Sequence, residues 1–131
     1  MLRTLSLIII MMLMAGAAAQ PSAEVMTEIH NGFRRGDARM LARHFGQNLE
    51  LNIPGSEGTF SHSQSEMILR DFFSKNRVRQ YEVNRQGPGR DGSTFTIATL
   101  TTRDDQTYRV YFLIKRYGQA YHLHQIQIDL R

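Results

Sequence analysis

Apolar residues recur along this chain with two periods, and the change from one to the other divides it into a helical part and a stranded part. Val25, Met26, Ile29 and Phe33 stand at i, i+1, i+4 and i+8, one stripe of an amphipathic helix whose wet side carries Glu24, Glu28 and Arg34. Gly36 ends that helix. Asp37 is an N-cap for a second, short helix with Met40, Leu41 and Phe45 on its stripe, and Gly46 closes it. Leu49, Leu51 and Ile53 then alternate with Asn48, Glu50 and Asn52, the pattern of a half-buried strand that stops at Pro54-Gly55, and a short return strand is expected around Thr59-Phe60. Ser63-Gln64-Ser65-Glu66 has the spacing of a capping box. It introduces a third helix with a broad apolar stripe of Met67, Ile68, Leu69, Phe72 and Phe73, which should lie across the core.

From Val78 onward the period is two. Strands are expected over 78–85, 93–102, 107–116 and 121–130, separated by Gly87-Pro88-Gly89, Asp104-Asp105 and Gly118. Tyr108, Val110, Phe112 and Ile114 share one face of their strand and, with Phe95 and Ile97 of the preceding one, are expected to point at the helices. That assigns Thr94, Thr96, Ala98, Leu100 and Thr102, with Arg109, Tyr111, Leu113 and Lys115, to the outer face. In the last strand Tyr121 and Leu123 are in one phase and Ile126, Ile128 and Leu130 in the other, so a β-bulge near His124-Gln125 is required, and it bends the sheet. The expected fold is α+β: a strongly bent, mostly antiparallel sheet wrapped as a cone around a long helix, with two further N-terminal helices.

The first nineteen residues follow neither pattern. Arg3 gives a positive start, an apolar run from Leu5 to Met14 is interrupted only by Ser6, and Ala17-Ala18-Ala19 places small residues before Gln20-Pro21. We read residues 1–19 as a signal peptide cleaved after Ala19 and residues 20–131 as one exported domain, periplasmic or secreted. The run is too short to span a bilayer comfortably, and no second one follows. The chain has no cysteine, which excludes disulfides, thiol nucleophiles, Fe–S clusters and cysteine-ligated zinc. A formal charge of +4 is a mild excess that ordinary solubility explains, and no nucleic-acid partner is inferred.

The segment Thr59-Phe60-Ser61-His62-Ser63-Gln64-Ser65-Glu66-Met67-Ile68-Leu69-Arg70-Asp71-Phe72-Phe73, with Gln86-Gly87, Tyr108-Arg109-Val110-Tyr111-Phe112 and Tyr121-His122-Leu123-His124-Gln125-Ile126, resembles the DUF4783 family of small secreted Bacteroidetes proteins. That family is similar to the NTF2-like, cystatin-like α+β superfamily. The resemblance implies a cone fold, export and a bacterial source. It supplies no catalytic residues, because the superfamily includes isomerases, dehydratases, epoxide hydrolases and non-catalytic binding subunits.

Candidate chemistry is sparse. Tyr81, Tyr108 and Tyr121 each stand in the apolar phase of a strand, where a hydroxyl could reach into a cavity, and with His124 they are the candidate ligand-binding residues. The competing reading makes them core rings with hydroxyls at the rim. His122 and His124, two apart on a strand, have a spacing that permits a metal, with His44 as the nominee for a third ligand; the favoured reading places His124 in the bulge and His122 in water, so neither metal nor cofactor is assigned. His30 and His62 read as surface positions. Arginines of the sheet half, including Arg77, Arg79, Arg85, Arg90, Arg103 and Arg109, either hold an anionic glycan or headgroup or form a solvated face. Residues 86–92 lack the helix a phosphate loop needs, and there is no serine elbow. No carboxylate is placed inside the cone.

Two functional readings follow. The first is a non-catalytic exported domain that binds a partner or a small apolar or anionic ligand and forms a homodimer through Leu100, Arg109, Tyr111 and Leu113. The second is a small pocket enzyme acting on an apolar substrate by acid–base chemistry, which needs a cavity with a polar group at its end.

Overall fold

The computed structural model describes residues 21–131, so the signal peptide expected over residues 1–19 lies outside the described residues. Helix α1 (Ala23–Arg35) starts where the Ser22 hydroxyl accepts from the Val25 amide and ends at Gly36, whose left-handed φ of 61° lets its amide reach the Gly32 and Phe33 carbonyls. Asp37 then caps α2 (Ala38–Ala42), accepting from the Met40 amide at 3.0 Å. The two helices meet closely because Gly32 has no side chain: a Cβ there would stand 2.7 Å from Leu41 Cδ2. Phe45 and Gly46, expected in the second helix, instead open strand β1 (Phe45–Ile53), since α2 already closes at Arg43.

Strand β2 (Ser56–Ser61) returns antiparallel to β1 and runs directly into helix α3 (His62–Lys75). The cap of α3 is two residues earlier than the Ser63–Glu66 pattern suggests. Ser61 accepts from the Gln64 amide while the Gln64 side chain accepts from the Ser61 amide at 3.1 Å. Ser61 and Gln64 form the same Ser-x-x-Glu/Gln box two residues upstream, and the earlier box captures the chain as it leaves β2. Glu66 is thereby released to pair with Arg70 at 2.7 Å.

Strands β3 (Val78–Pro88), β4 (Thr94–Thr102), β5 (Thr107–Tyr117) and β6 (Ala120–Leu130) complete a six-stranded sheet of order β2-β1-β6-β5-β4-β3. Every pairing is antiparallel except β1 with β6. The register of β5 on β6 slips between Leu113 and Ile114, which sit opposite Gln125 and Leu123, leaving His124 as the extra residue expected from the phase change. A second slip in β3, between Val83 and Arg85, adds to the bend.

The phase of β4 is opposite to the sequence expectation. Thr96, Ala98 and Leu100 lie directly across from Phe112, Val110 and Tyr108, and direct partners share a face. Thr96, Ala98, Leu100 and Thr102 are therefore buried under the helices, whereas Phe95 and Ile97 join Leu113 and Tyr111 on the outer face. Leu100, proposed above as an interface residue, has no exposed surface. Small β4 residues leave room for the large rings of β3 and β5 on either side, which is how facing positions fill a core.

We expect Phe72→Ala to cost about 3–5 kcal/mol in denaturant titrations, because the buried ring packs edge-on against Tyr108 and Phe73. Ser61→Ala should cost about 1 kcal/mol, and Ser63→Ala less than about 0.5 kcal/mol. The reverse order for the two serines would place the cap at Ser63.

Candidate functional site

The hollow of the cone is occupied by rings. Phe33 of α1 is fully buried, with its centroid 5.6 Å from Tyr81 and 5.3 Å from Phe112 and interplanar angles of 10° and 13°. Phe73 of α3 meets it edge-on at 6.5 Å. Ile29, Leu69, Val110, Ile126 and Ile128 fill the remaining space, each with no more than 1% of its surface exposed. The chain has twelve carboxylates, and none of them is buried.

At the edge of this packing lies a polar pair. His30, one turn before Arg34, has its ring centroid 5.8 Å from those of both Tyr81 and Phe112, and its Nδ1 shares a hydrogen bond with the Tyr81 hydroxyl at 3.0 Å. Burial holds the imidazole below its usual range; a side-chain hydrogen bond with Gln86 opposes this and the Arg34 charge reinforces it. Burial also raises the Tyr81 phenol, against the pull of Arg34, whose guanidinium lies 5.7 Å from the ring centroid. Both groups are thus kept neutral. Sequence reasoning placed His30 on the surface, although its spacing, four after Met26 and three before Phe33, puts it on the buried stripe.

The other candidates go to separate places. The Tyr108 hydroxyl donates to Asn76 Oδ1 at 3.0 Å, closing the end of α3. The Tyr121 hydroxyl is buried without a partner among the described residues, as is Nδ1 of His122. His124, in the bulge, shares a hydrogen bond between its Nδ1 and the Tyr117 hydroxyl at 2.8 Å, and its imidazole is held low by burial and then by Lys115, against Glu50. Tyr117, His122, His124 and Asn48 line an open cleft of about 450 Å³. His44 is committed elsewhere, donating through Nε2 to Glu28 at 2.6 Å, and His62 donates to the Ala42 carbonyl at 2.7 Å. No cluster of three metal-ligating side chains occurs among the described residues.

The outer face of the sheet carries an apolar block. Phe95 faces Leu113 and Ile97 faces Tyr111 across the β4–β5 ladder, all four half-buried and with no helix over them. Arg85 lies 5.8 Å over the Phe95 ring, and Arg109, Lys115, Gln125 and Gln127 surround the block. Arg109, Tyr111 and Leu113 therefore share the face assigned to them from sequence, with Phe95 and Ile97 in the place given to Leu100.

Residues 26–129 match the family model described as a domain of unknown function, DUF4783. Among solved structures the chain is similar to a DUF4783 family protein from Bacteroides ovatus, at 30% identity over 88% of this chain and 98% of that one, with a TM-score of 0.74. A DUF4783 family protein from Bacteroides uniformis is similar at 28% identity over 80% and 95%, TM-score 0.74. An NTF2-like protein of unknown function from Silicibacter pomeroyi shares the fold at 10% identity over 82% and 91%, TM-score 0.58. No curated protein matches the chain.

A pH series tests the His30 environment. Its imidazole stays neutral in the folded state while the unfolded chain takes up a proton below 6.5, so its contribution to stability is complete above 6.5 and is lost as pH falls toward the folded value. Unfolding free energies measured in small pH steps from neutral downward should fall for the wild type, and His30→Gln should flatten that fall. An unchanged slope in the variant would mean that His30 titrates freely.

Proposed function

Because the chain belongs to the DUF4783 family and has its NTF2-like, α+β fold, we propose that it is an exported, non-catalytic domain that binds its partner or ligand on its surface and pairs with a second copy, sheet to sheet. The observation that carries this reading is the division of chemistry between the two faces of the sheet. Inside, where a cone of this kind would hold a substrate, hydrocarbon and stacked rings occupy the space, and the polar pair at the edge is neutral and hydrogen-bonded to itself. Outside, Phe95, Ile97, Tyr111 and Leu113 form an apolar centre with a charged and amide-bearing rim, the composition of an interface core.

A two-fold axis through this block would set Tyr111 against its own counterpart or a close neighbour, so each apolar contact is made twice. Export rests on Arg3, the apolar run and Ala17-Ala18-Ala19. No helix among the described residues is long and apolar enough to cross a membrane.

Sedimentation equilibrium tests the pairing. Wild-type protein should run at twice the chain mass at high micromolar concentration, and Tyr111→Glu, which places a charge at the centre of the block, should run as a monomer. A monomeric wild type would refute the sheet-to-sheet dimer.

A further inference from the structure

At the corner where α1 turns into α2, against the end of α3 and the start of β3, lies a concavity of about 420 Å³. Arg35, Arg39, Arg70, Arg77 and Arg103 line it, together with a single carboxylate, Asp37. The concavity thus gathers as much net positive charge as the whole chain carries, +4. Phe73 and Val78 add apolar side chains to its lining.

These arginines are not explained by the fold around them. Arg70 pairs with Glu66, but Arg35, Arg39, Arg77 and Arg103 meet no carboxylate within 4.0 Å among the described residues. Asp37 Oδ1 is taken by the Met40 amide. The Phe33 and Gly32 carbonyls at the end of α1 accept from the Gly36 and Asp37 backbone amides, so Arg35 is not needed to cap those two groups. Arg77 and Arg103 are held side by side by the main chain, the Arg103 amide donating to the Arg77 carbonyl at 2.8 Å. Four cations lining one concavity without a paired carboxylate raise the local potential and attract anions. Guanidinium forks fit the oxygens of a phosphate bidentately, which a lysine cluster would not do.

We propose that this corner binds a phosphate ester or pyrophosphate carrying at least two negative charges, held between Arg77 and Arg103 on one side and Arg35 and Arg39 on the other. This assigns a ligand class to the surface binding role proposed above and rests on that role. The dimer face is a separate surface, and its failure would show in sedimentation rather than here.

Calorimetric titration of the purified protein with inorganic pyrophosphate at low ionic strength should give saturable binding at one site per chain, weakening as salt is added. Arg77→Gln with Arg103→Gln should weaken it about tenfold or more, while Arg90→Gln with Arg131→Gln, which removes the same charge elsewhere, should leave it within about twofold. Absence of saturable binding, or equal weakening by the two pairs, would overturn the proposal. Should the first pair perturb folding, phenylglyoxal labelling of wild-type protein read by mass spectrometry decides the matter. Pyrophosphate should protect Arg77 and Arg103 but not Arg90 or Arg131, and equal labelling with and without pyrophosphate would overturn the site. Vesicles of phosphatidylcholine with phosphatidic acid distinguish the two sources of such a group: co-sedimentation abolished by the Arg77/Arg103 variant supports a lipid headgroup, and pyrophosphate binding without it supports a soluble ester.

Discussion

The sandwich of Phe33 between Tyr81 and Phe112 is the contact on which the remaining architecture depends. One ring on α1 is clasped by rings on β3 and β5, at centroid separations of 5.6 and 5.3 Å, and touched edge-on by Phe73 of α3. It therefore ties both long helices to the sheet. Nearly parallel rings at these separations are offset stacks, which combine a large buried apolar area with a preferred geometry. Phe33 stacks on a ring from β3 and a ring from β5, and register slips in the β3–β4 and β5–β6 ladders bend the sheet there. Gly32 and Gly36 serve the same contact by letting α2 close against α1 and by turning the chain immediately after Phe33.

Filling the hollow in this way moves the protein's chemistry outward. A buried carboxylate among these rings would have to be paired or neutralised, and none of the chain's twelve is there. The groups that could bind something lie on three surfaces instead: the apolar block on the outer face of the sheet, the Tyr117–His124 cleft beside the β6 bulge, and the arginine-lined corner beneath α1 and α2. The first carries the proposed pairing of two copies and the last the proposed anion site.

Much of this was legible in the chain. Helix α1, its stop at Gly36, the cap at Asp37, the alternation in β1 and the bulge at His124 follow from local periodicity and turn chemistry, and the structure has each of them. The misreadings arose where two local solutions compete. Ser61/Gln64 and Ser63/Glu66 are both good capping boxes, and only the path of β2 selects the first. In β4 the bulkier phase, Phe95 and Ile97, looks like the core phase, yet register with β5 buries Thr96, Ala98 and Leu100 because the rings beside them already fill the volume. Strand phase is a pairwise property and cannot be weighed one strand at a time. The arginine corner was legible only in part: Arg77 and Arg103 stand among the sheet arginines read as an anion site or a solvated face, whereas Arg35, Arg39 and Arg70 join them only when α1, α2, α3 and the strand ends are assembled.

The central claim is that the cone is solid, with Phe33 in the place of a ligand. Xenon, a small apolar probe that enters dry cavities, tests it most directly. Crystals of the wild-type protein pressurised with xenon should show no xenon site among Phe33, Tyr81 and Phe112, whereas Phe33→Ala, which vacates the centre of the stack, should acquire one there. A well-occupied xenon site inside the wild-type cone would contradict the account and restore an interior pocket as the place to look for function.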